Sequence, residues 1–163
     1  MMRRKVVPFI AILILISVGC AQQGKRGGST TSVAGTGNSG LDINDDSDSG
    51  NISPIETVYF AFNSASLTSK AKGKLKTTAE FLDANKEVQL QIEGHCDERG
   101  GVQYNLALGE RRARSVKRYL TSLGIASGRL STISFGKEKP ITDGHEEDAW
   151  SQNRRGNFVV TAN

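Results

Sequence analysis

Two charged side chains, Asp97 and Arg112, are the residues of this chain best placed to bind a small ligand. Asp97 lies in the polar run 94–101 (GHCDERGG), and Arg112 follows on a segment with helical periodicity. Asn105, Leu108 and Arg112 are spaced at i, i+3 and i+7, so they form one stripe of that helix. A carboxylate binds an ammonium group, and a guanidinium binds a carboxylate through paired hydrogen bonds. The pattern therefore predicts either a groove for a zwitterionic ligand or an Asp97–Arg112 ion pair that only closes the turn, and spacing alone favours the ion pair.

Other reactive residues in the same run do not indicate a metal site or an enzyme. His95, Cys96, Asp97 and Glu98 are consecutive, and consecutive residues at a strand end point to alternating sides. Only His95 and Asp97 would converge, which is too few ligands for a metal ion. Cys96 is expected to be a small, half-buried filler of the core. Because no activated nucleophile or paired carboxylates stand out, the sequence predicts a binding protein.

The hydrophobic pattern predicts the elements that must position these side chains. Strands are predicted at residues 57–62, 88–93, 130–135 and 157–161, long helices at 67–85 and 102–123, and a short helix within 145–155. Ser66 is a plausible cap for the first helix. The second helix is predicted to bury Leu106, Ala113, Val116, Leu120 and Leu123. The order β-α-β-α-β-β predicts an α/β (α+β) sandwich, with helices packed on a small mixed sheet.

The segment before this domain has a different composition. Residues 21–54 are rich in Gly, Ser, Thr, Asn and Asp and contain few large apolar side chains. Such a segment cannot bury enough surface to offset the entropy of ordering it. The sequence therefore predicts a disordered linker over residues 20–54 and a folded domain over residues 55–163.

Cys20 follows a segment with the pattern of an export signal. Basic residues at positions 3–5 precede an apolar run at positions 6–16, which is shorter than the ~18–20 residues of a membrane span. This favours a signal peptide over residues 1–19. The arrangement resembles the lipobox of bacterial lipoproteins, with Ser17 where those proteins usually have leucine. The resemblance implies that Cys20 carries S-diacylglycerol and an N-acyl chain and that the protein has no other cofactor; an ordinary secretory signal is the alternative.

Residues 58–160 resemble the OmpA-like peptidoglycan-binding domain family. The matching motifs are residues 60–63 (FAFN), 94–100 (GHCDERG), 104–113 (YNLALGERRA) and 153–155 (NRR). The resemblance implies that Asp97 and Arg112 hold the diaminopimelate side chain of the peptidoglycan stem peptide. It also implies secondary contacts at Phe62, Asn63, Arg99, Leu108 and Asn105. Asn63 departs from the family, whose members often have aspartate at that position.

The resemblance further implies a place in the cell and a set of partners. The expected protein is a lipoprotein of the outer membrane whose domain faces the periplasm, binds peptidoglycan and tethers the membrane to it. TolB and other Tol proteins are the implied protein partners, with a role in envelope integrity and cell division. Nucleic acid is not an expected partner, because three of the four net positive charges lie at positions 3–5 and the charges of the remaining chain are mixed. The alternatives are an OmpA-like lipoprotein of a secretion or other envelope assembly and a periplasmic cell-wall hydrolase.

Overall fold

The structure is a computed structural model that describes residues 41–163. Its elements are β1 (Val58–Tyr59), α1 (Ser69–Ala84), β2 (Gln89–His95), α2 (Val102–Ser122), β3 (Leu130–Gly136), α3 (Glu147–Asn153) and β4 (Arg155–Ala162), with a 3-10 turn at Ser127–Arg129. The predicted order of strands and helices is confirmed, including the short helix before the last strand. The predicted signal peptide, Cys20 and the first part of the predicted linker lie outside the described residues.

The four strands form one mixed sheet in the order β1-β4-β2-β3. β4 pairs antiparallel with β1 and β2, whereas β2 and β3 are parallel and are joined through α2. A parallel pair needs such a crossover connection, and a helix is the usual one. Both long helices bury apolar side chains in a single core with β2 and β4; its central members are Leu75, Leu82, Leu90, Ile92, Val116, Leu120, Phe158 and Val160. The predicted α+β class is therefore confirmed.

Helix α2 buries a different stripe from the one predicted. Ala113, Val116 and Leu120 are buried as expected, but Leu106 is half-buried and Leu123 is 39% exposed. The additional buried side chains are Asn105, Leu108 and Arg112. The cause is a close approach of backbones, since a Cβ atom on Gly94 would lie 1.9 Å from the carbonyl oxygen of Gly109. This contact turns the polar stripe of α2 towards the end of β2.

The first strand is shorter than predicted. Only Val58 and Tyr59 pair with β4, although the backbone N–H of Phe60 still donates to the carbonyl oxygen of Arg154 at 2.9 Å. The chain then turns away from the sheet, and Asn63 takes a left-handed conformation with φ of 50°, which asparagine tolerates better than most residues. The residues at 61–64 thereby leave the sheet edge and become part of the candidate site described below.

Helix α1 also begins later than predicted. It starts at Ser69, and the side chain of Thr68, in place of Ser66, accepts a hydrogen bond from the backbone N–H of Ala71 at 3.1 Å. Threonine at this position satisfies one of the free donors at the helix start. The helix buries Ala71, Leu75, Thr78, Ala79 and Leu82 on one face.

Residues 41–54, predicted as part of a disordered linker, are an ordered part of the domain. The side chains of Leu41 and Ile52 are buried in the core. β1 pairs only with the first two residues of β4. The backbone of residues 41–54 covers the rest of that edge of β4, where the N–H of Asn44 donates to the carbonyl oxygen of Val160 at 2.9 Å. Asp48 accepts a hydrogen bond from Arg155 at 2.7 Å. The sequence prediction failed because a few well-placed apolar residues and a polar network order a segment whose average composition is that of a linker.

We expect Ile52→Ala to destabilise the domain by about 2–5 kcal/mol, the usual cost of truncating a fully buried isoleucine. Ile52 is 0% exposed, whereas Ile43, nine positions earlier in the same segment, is 48% exposed. Ile43→Ala is therefore the matched control and should change the free energy of unfolding by about 0.5 kcal/mol or less. Denaturant unfolding of both variants would measure this difference. Equal stabilities would mean that residues 41–54 do not belong to the folded unit.

Candidate ligand-binding pocket

A cavity of about 140 Å³ lies between the turn that follows β2, the N-terminal half of α2 and the loop after β1. All seven residues predicted from the sequence to bind ligand line it: Phe62, Asn63, Asp97, Arg99, Asn105, Leu108 and Arg112. Cys96, Gly100 and Tyr104 complete the lining. The structure thus brings the predicted residues together, and their contacts with a ligand stay a prediction.

Asp97 is buried at the base of this pocket and is held by two arginines. Its carboxylate accepts hydrogen bonds from Arg99 at 2.6 Å and from Arg154 at 3.3 Å, and the backbone N–H of Arg99 donates to it at 3.2 Å. Burial by itself raises the pKa of Asp97, but the hydrogen bonds from Arg99 and Arg154 outweigh it and hold the pKa below its ordinary value. Asp97 is therefore a fixed anion that faces the cavity.

Arg112 is completely buried and does not form the ion pair with Asp97 that spacing alone favoured. Its guanidinium donates to the backbone carbonyl oxygens of Ser64 at 2.8 Å, His95 at 2.7 Å and Ala61 at 3.1 Å. Burial lowers its pKa from the ordinary arginine value. A guanidinium has five N–H donors, so these three bonds leave two for a ligand. Arg112 consequently joins the loop after β1 to the end of β2 and still lines the pocket.

The mouth of the pocket is built from aromatic side chains around Arg99. The guanidinium of Arg99 lies 4.0 Å from the ring centroid of Phe62 and 3.9 Å from that of Trp150. Phe62 is 60% exposed, which is unusual for a phenylalanine. The indole N–H of Trp150 donates to Glu98 at 2.9 Å. This stacking holds Arg99 over Asp97 and leaves the face of Phe62 open to solvent.

Several functional positions were missed or left open by the sequence. Tyr104, at i−4 from Leu108 and i−8 from Arg112, lines the pocket, and its hydroxyl donates to the side-chain oxygen of Asn63; the helical spacing was the signal. Arg154, which the sequence showed only as part of the motif at 153–155, is buried against Asp97. Trp150 stacks on Arg99.

Cys96 and His95 play supporting parts in the described structure. The Cys96 thiol is buried and donates to the carbonyl oxygen of Asn105 at 3.4 Å, and burial raises its pKa. His95 is buried, stacks on Phe135 and contacts Glu93 at 3.3 Å. Residues 41–163 contain no group of three side chains that could hold a metal ion. None of their helices has the length and hydropathy of a membrane span.

We expect Asp97 to stabilise the fold only while it is ionised. A carboxyl whose pKa is depressed in the folded state contributes stability above its unfolded-state pKa of about 3.9, and this contribution is lost as the pH falls through the folded-state value. The free energy of unfolding of Asp97→Asn should therefore change less with pH below about pH 4 than that of the original protein. Asp143→Asn, at an exposed site, is the control and should keep the original dependence. Denaturant unfolding at a series of pH values tests this, and parallel curves for all three proteins would contradict it.

The pocket has the chemistry for one end of an amino acid. Asp97 supplies a fixed negative charge for an ammonium group, and the two remaining N–H donors of Arg112 can bind a carboxylate. Leu108 and the rings of Phe62 and Tyr104 provide an apolar wall for the carbon chain between those groups. Because the pocket is small, it can hold the charged end of an amino-acid side chain but not a larger ligand.

The chain shares its domain type with a known protein family. A family model described as OmpA family matches residues 59–154. The chain belongs to the OmpA family, as the sequence motifs predicted.

Relatives within that family carry a more specific name. A Pseudomonas aeruginosa protein named peptidoglycan-associated lipoprotein is 37% identical over 153 residues, which cover 90% of each chain. The crystal structure of the peptidoglycan-associated lipoprotein from Burkholderia pseudomallei is similar with a TM-score of 0.62 and 41% identity, over 64% of this chain and 88% of that one. The cell wall anchor of the T6SS from Pseudomonas aeruginosa is a more distant neighbour, with a TM-score of 0.57 and 26% identity over 66% of this chain and 80% of that one.

Proposed function

We propose that this protein is a peptidoglycan-binding lipoprotein whose pocket takes the diaminopimelate side chain of the stem peptide. The observation that carries the proposal is the fixed carboxylate of Asp97 in the same small cavity as the buried guanidinium of Arg112. The free end of diaminopimelate carries an ammonium and a carboxylate on one carbon, which is the pair of charges that this pocket complements. The relatives named peptidoglycan-associated lipoprotein support peptidoglycan as the target.

The binding mechanism follows from how the charges are held. Asp97 is fixed by Arg99 and Arg154, so its geometry needs no rearrangement when an ammonium arrives. Arg112 is fixed by three backbone carbonyls and can add two hydrogen bonds to the ligand carboxylate. Preorganised groups lose little entropy on binding, which raises affinity for a small ligand. Nothing in this mechanism requires a chemical step, so we propose binding and not catalysis.

The proposal extends to the whole chain through Cys20. Lipid on Cys20 would hold one end of the protein in the outer membrane, and more than one acyl chain is needed because a single chain binds membranes only marginally. The domain, which faces the periplasm, would hold the cell wall at the other end. Many weak and reversible links of this kind act together through multivalency. TolB and other Tol proteins are the protein partners that this role implies, in envelope integrity and cell division.

The alternative of a secretion or other envelope assembly has weaker support. The T6SS cell wall anchor is 26% identical over 66% of this chain, whereas the peptidoglycan-associated lipoprotein of Pseudomonas aeruginosa is 37% identical over 90%. Both alternatives place the same kind of domain against the cell wall. The pocket chemistry is therefore common to them, and the difference lies in the partner.

Sedimentation with purified peptidoglycan tests the binding function. We expect the full chain, purified in detergent, to sediment with peptidoglycan and to release no soluble muropeptides during a long incubation. Release of muropeptides would instead support the hydrolase alternative.

In the cell, Cys20→Ser should abolish acyl labelling and release the protein from membranes; labelling that persists would contradict the lipid anchor.

A further inference from the structure

A second groove lies beside the pocket, along α2, and its polar lining is cationic and hydroxylic. This groove, of about 450 Å³, is shallow and open, and it lies between α1, α2 and the loop that precedes α1. Its polar side chains are Lys72, Arg118, Ser66, Ser115 and Tyr119. No carboxylate lines it. We call this surface the cationic groove.

The two cations of the cationic groove are not neutralised by the protein. Lys72 lies 5.9 Å from the ring centroid of Tyr119, and Arg118 donates to the hydroxyl of Ser115 at 3.0 Å. Neither has an acidic partner within residues 41–163. Their neighbours on the same helices are paired, since Lys74 binds Glu56 and Arg114 binds Glu110.

The position of Lys72 adds to this positive field. The first turn of α1 contains no acidic residue, although a helix N-terminus favours negative charge and disfavours a cation. A lysine there is unfavourable for the helix by itself. An anionic ligand in the groove would offset both the lysine charge and the positive end of the helix.

The cationic groove and the pocket are lined by neighbouring parts of the same two segments. Asn63 lines the pocket and Ser66, three residues later, lines the groove; between them, the carbonyl oxygen of Ser64 is held by Arg112. On α2 the pocket residue Leu108 and the groove residue Ser115 are separated by about 10 Å of helix rise. About three residues of extended peptide span that distance.

We infer that the cationic groove is a second subsite for peptidoglycan, which binds a stem-peptide carboxylate outside the diaminopimelate residue. The inference rests on the proposed function, because the diaminopimelate in the pocket would place the rest of the stem peptide over the groove. The stem peptide is an extended, acidic chain, so it supplies the acidic partner that Lys72 and Arg118 lack. The hydroxyls of Ser66 and Ser115 can add hydrogen bonds to the same carboxylate.

A paired set of double variants tests this subsite. In Lys72→Gln/Arg118→Gln both groove charges are removed, and in Lys76→Gln/Arg114→Gln the same charges are removed from the same helices outside the groove. With the full chain in detergent and a muropeptide whose stem carboxylates are free, we expect the groove variant to bind about 5- to 20-fold more weakly at low salt. The control should stay within about twofold, since an exposed lysine and the exposed Arg114–Glu110 ion pair both contribute little.

A second muropeptide identifies the group that is bound. When the stem carboxylates outside diaminopimelate are amidated, the original protein should bind as weakly as the groove variant, and the groove variant should be unaffected. Equal affinities of groove variant and control would overturn the subsite. The subsite would also be overturned if the groove variant kept its muropeptide affinity but lost binding to phosphatidylglycerol vesicles. That result would assign the groove to the membrane.

The same titrations separate this inference from the proposed function. If Asp97→Asn weakens binding while the groove variant does not, the pocket is correct and only the subsite is wrong. If the original protein binds neither muropeptide, the proposed function fails and the subsite fails with it.

Discussion

Replacement of Asp97 by asparagine is expected to weaken binding of peptidoglycan fragments by about 30-fold or more. Removal of one partner from a buried, hydrogen-bonded charge pair costs about 2–5 kcal/mol, and each 1.4 kcal/mol corresponds to about a factor of ten. Asparagine keeps the shape of the side chain and can still accept a hydrogen bond from Arg99, so the pocket should persist. The loss is then in the attraction of the ligand ammonium.

Glu98→Gln is the matched control for this variant. Glu98 is the next residue, carries the same charge and is exposed, where it contacts His145 and Trp150 outside the pocket lining. Isothermal titration with a diaminopimelate-containing muropeptide would compare the two variants, and Glu98→Gln should stay within about threefold of the original protein. A similar loss in both variants would show that general negative charge, and not the pocket carboxylate, attracts the ligand.

Replacement of Arg112 by methionine is expected to lower the stability of the domain by about 3 kcal/mol or more. Three backbone carbonyl oxygens, those of Ala61, Ser64 and His95, would each lose their hydrogen bond, and a hydrogen bond from a charged group contributes about 1.5–3 kcal/mol. In a domain of this size the melting temperature should fall by about 10 °C or more.

Arg111→Met is the control for this prediction. Arg111 precedes Arg112 on the same helix but is exposed, so its loss should change stability by about 0.5 kcal/mol or less. Thermal melts of both variants measure the difference. An unchanged melting temperature for Arg112→Met would mean that the three hydrogen bonds are not formed. Because Arg112 supports the loop after β1, weaker binding in its variants reports the state of the pocket as well as ligand contact. Asp97 is therefore the cleaner residue for testing recognition.

The sequence predicted most of the fold because its apolar periodicities are regular. The strand predicted at 88–93 alternates and buries Val88, Leu90 and Ile92, and the helix predicted at 67–85 buries Ala71, Leu75 and Leu82. The stripe of α2 was harder to predict, because its rotation depends on the contact of Gly94 with Gly109, which are fifteen positions apart. Residues 41–54 were missed for a similar reason, since their order depends on Ile52 and on the distant partner Arg155.

The candidate site was predictable as a set of residues but not as a set of contacts. Residue types and spacing identified Asp97 and Arg112, and both line the pocket. Their partners come from elsewhere in the chain: Arg154 from the position between α3 and β4, and the carbonyls of Ala61 and Ser64 from the loop after β1. Hydrogen bonds to backbone carbonyls leave no pattern of residue types, so no reading of the sequence alone could have placed Arg112 in its network.

The most direct test of the account is a titration of the full chain with two stem peptides that differ in one residue. One peptide contains diaminopimelate, and the other contains lysine, which keeps the ammonium but lacks the second carboxylate. We expect the diaminopimelate peptide to bind at least about tenfold more tightly, because only its carboxylate can use the free N–H donors of Arg112. Equal affinities for the two peptides would contradict the assignment of this pocket to diaminopimelate.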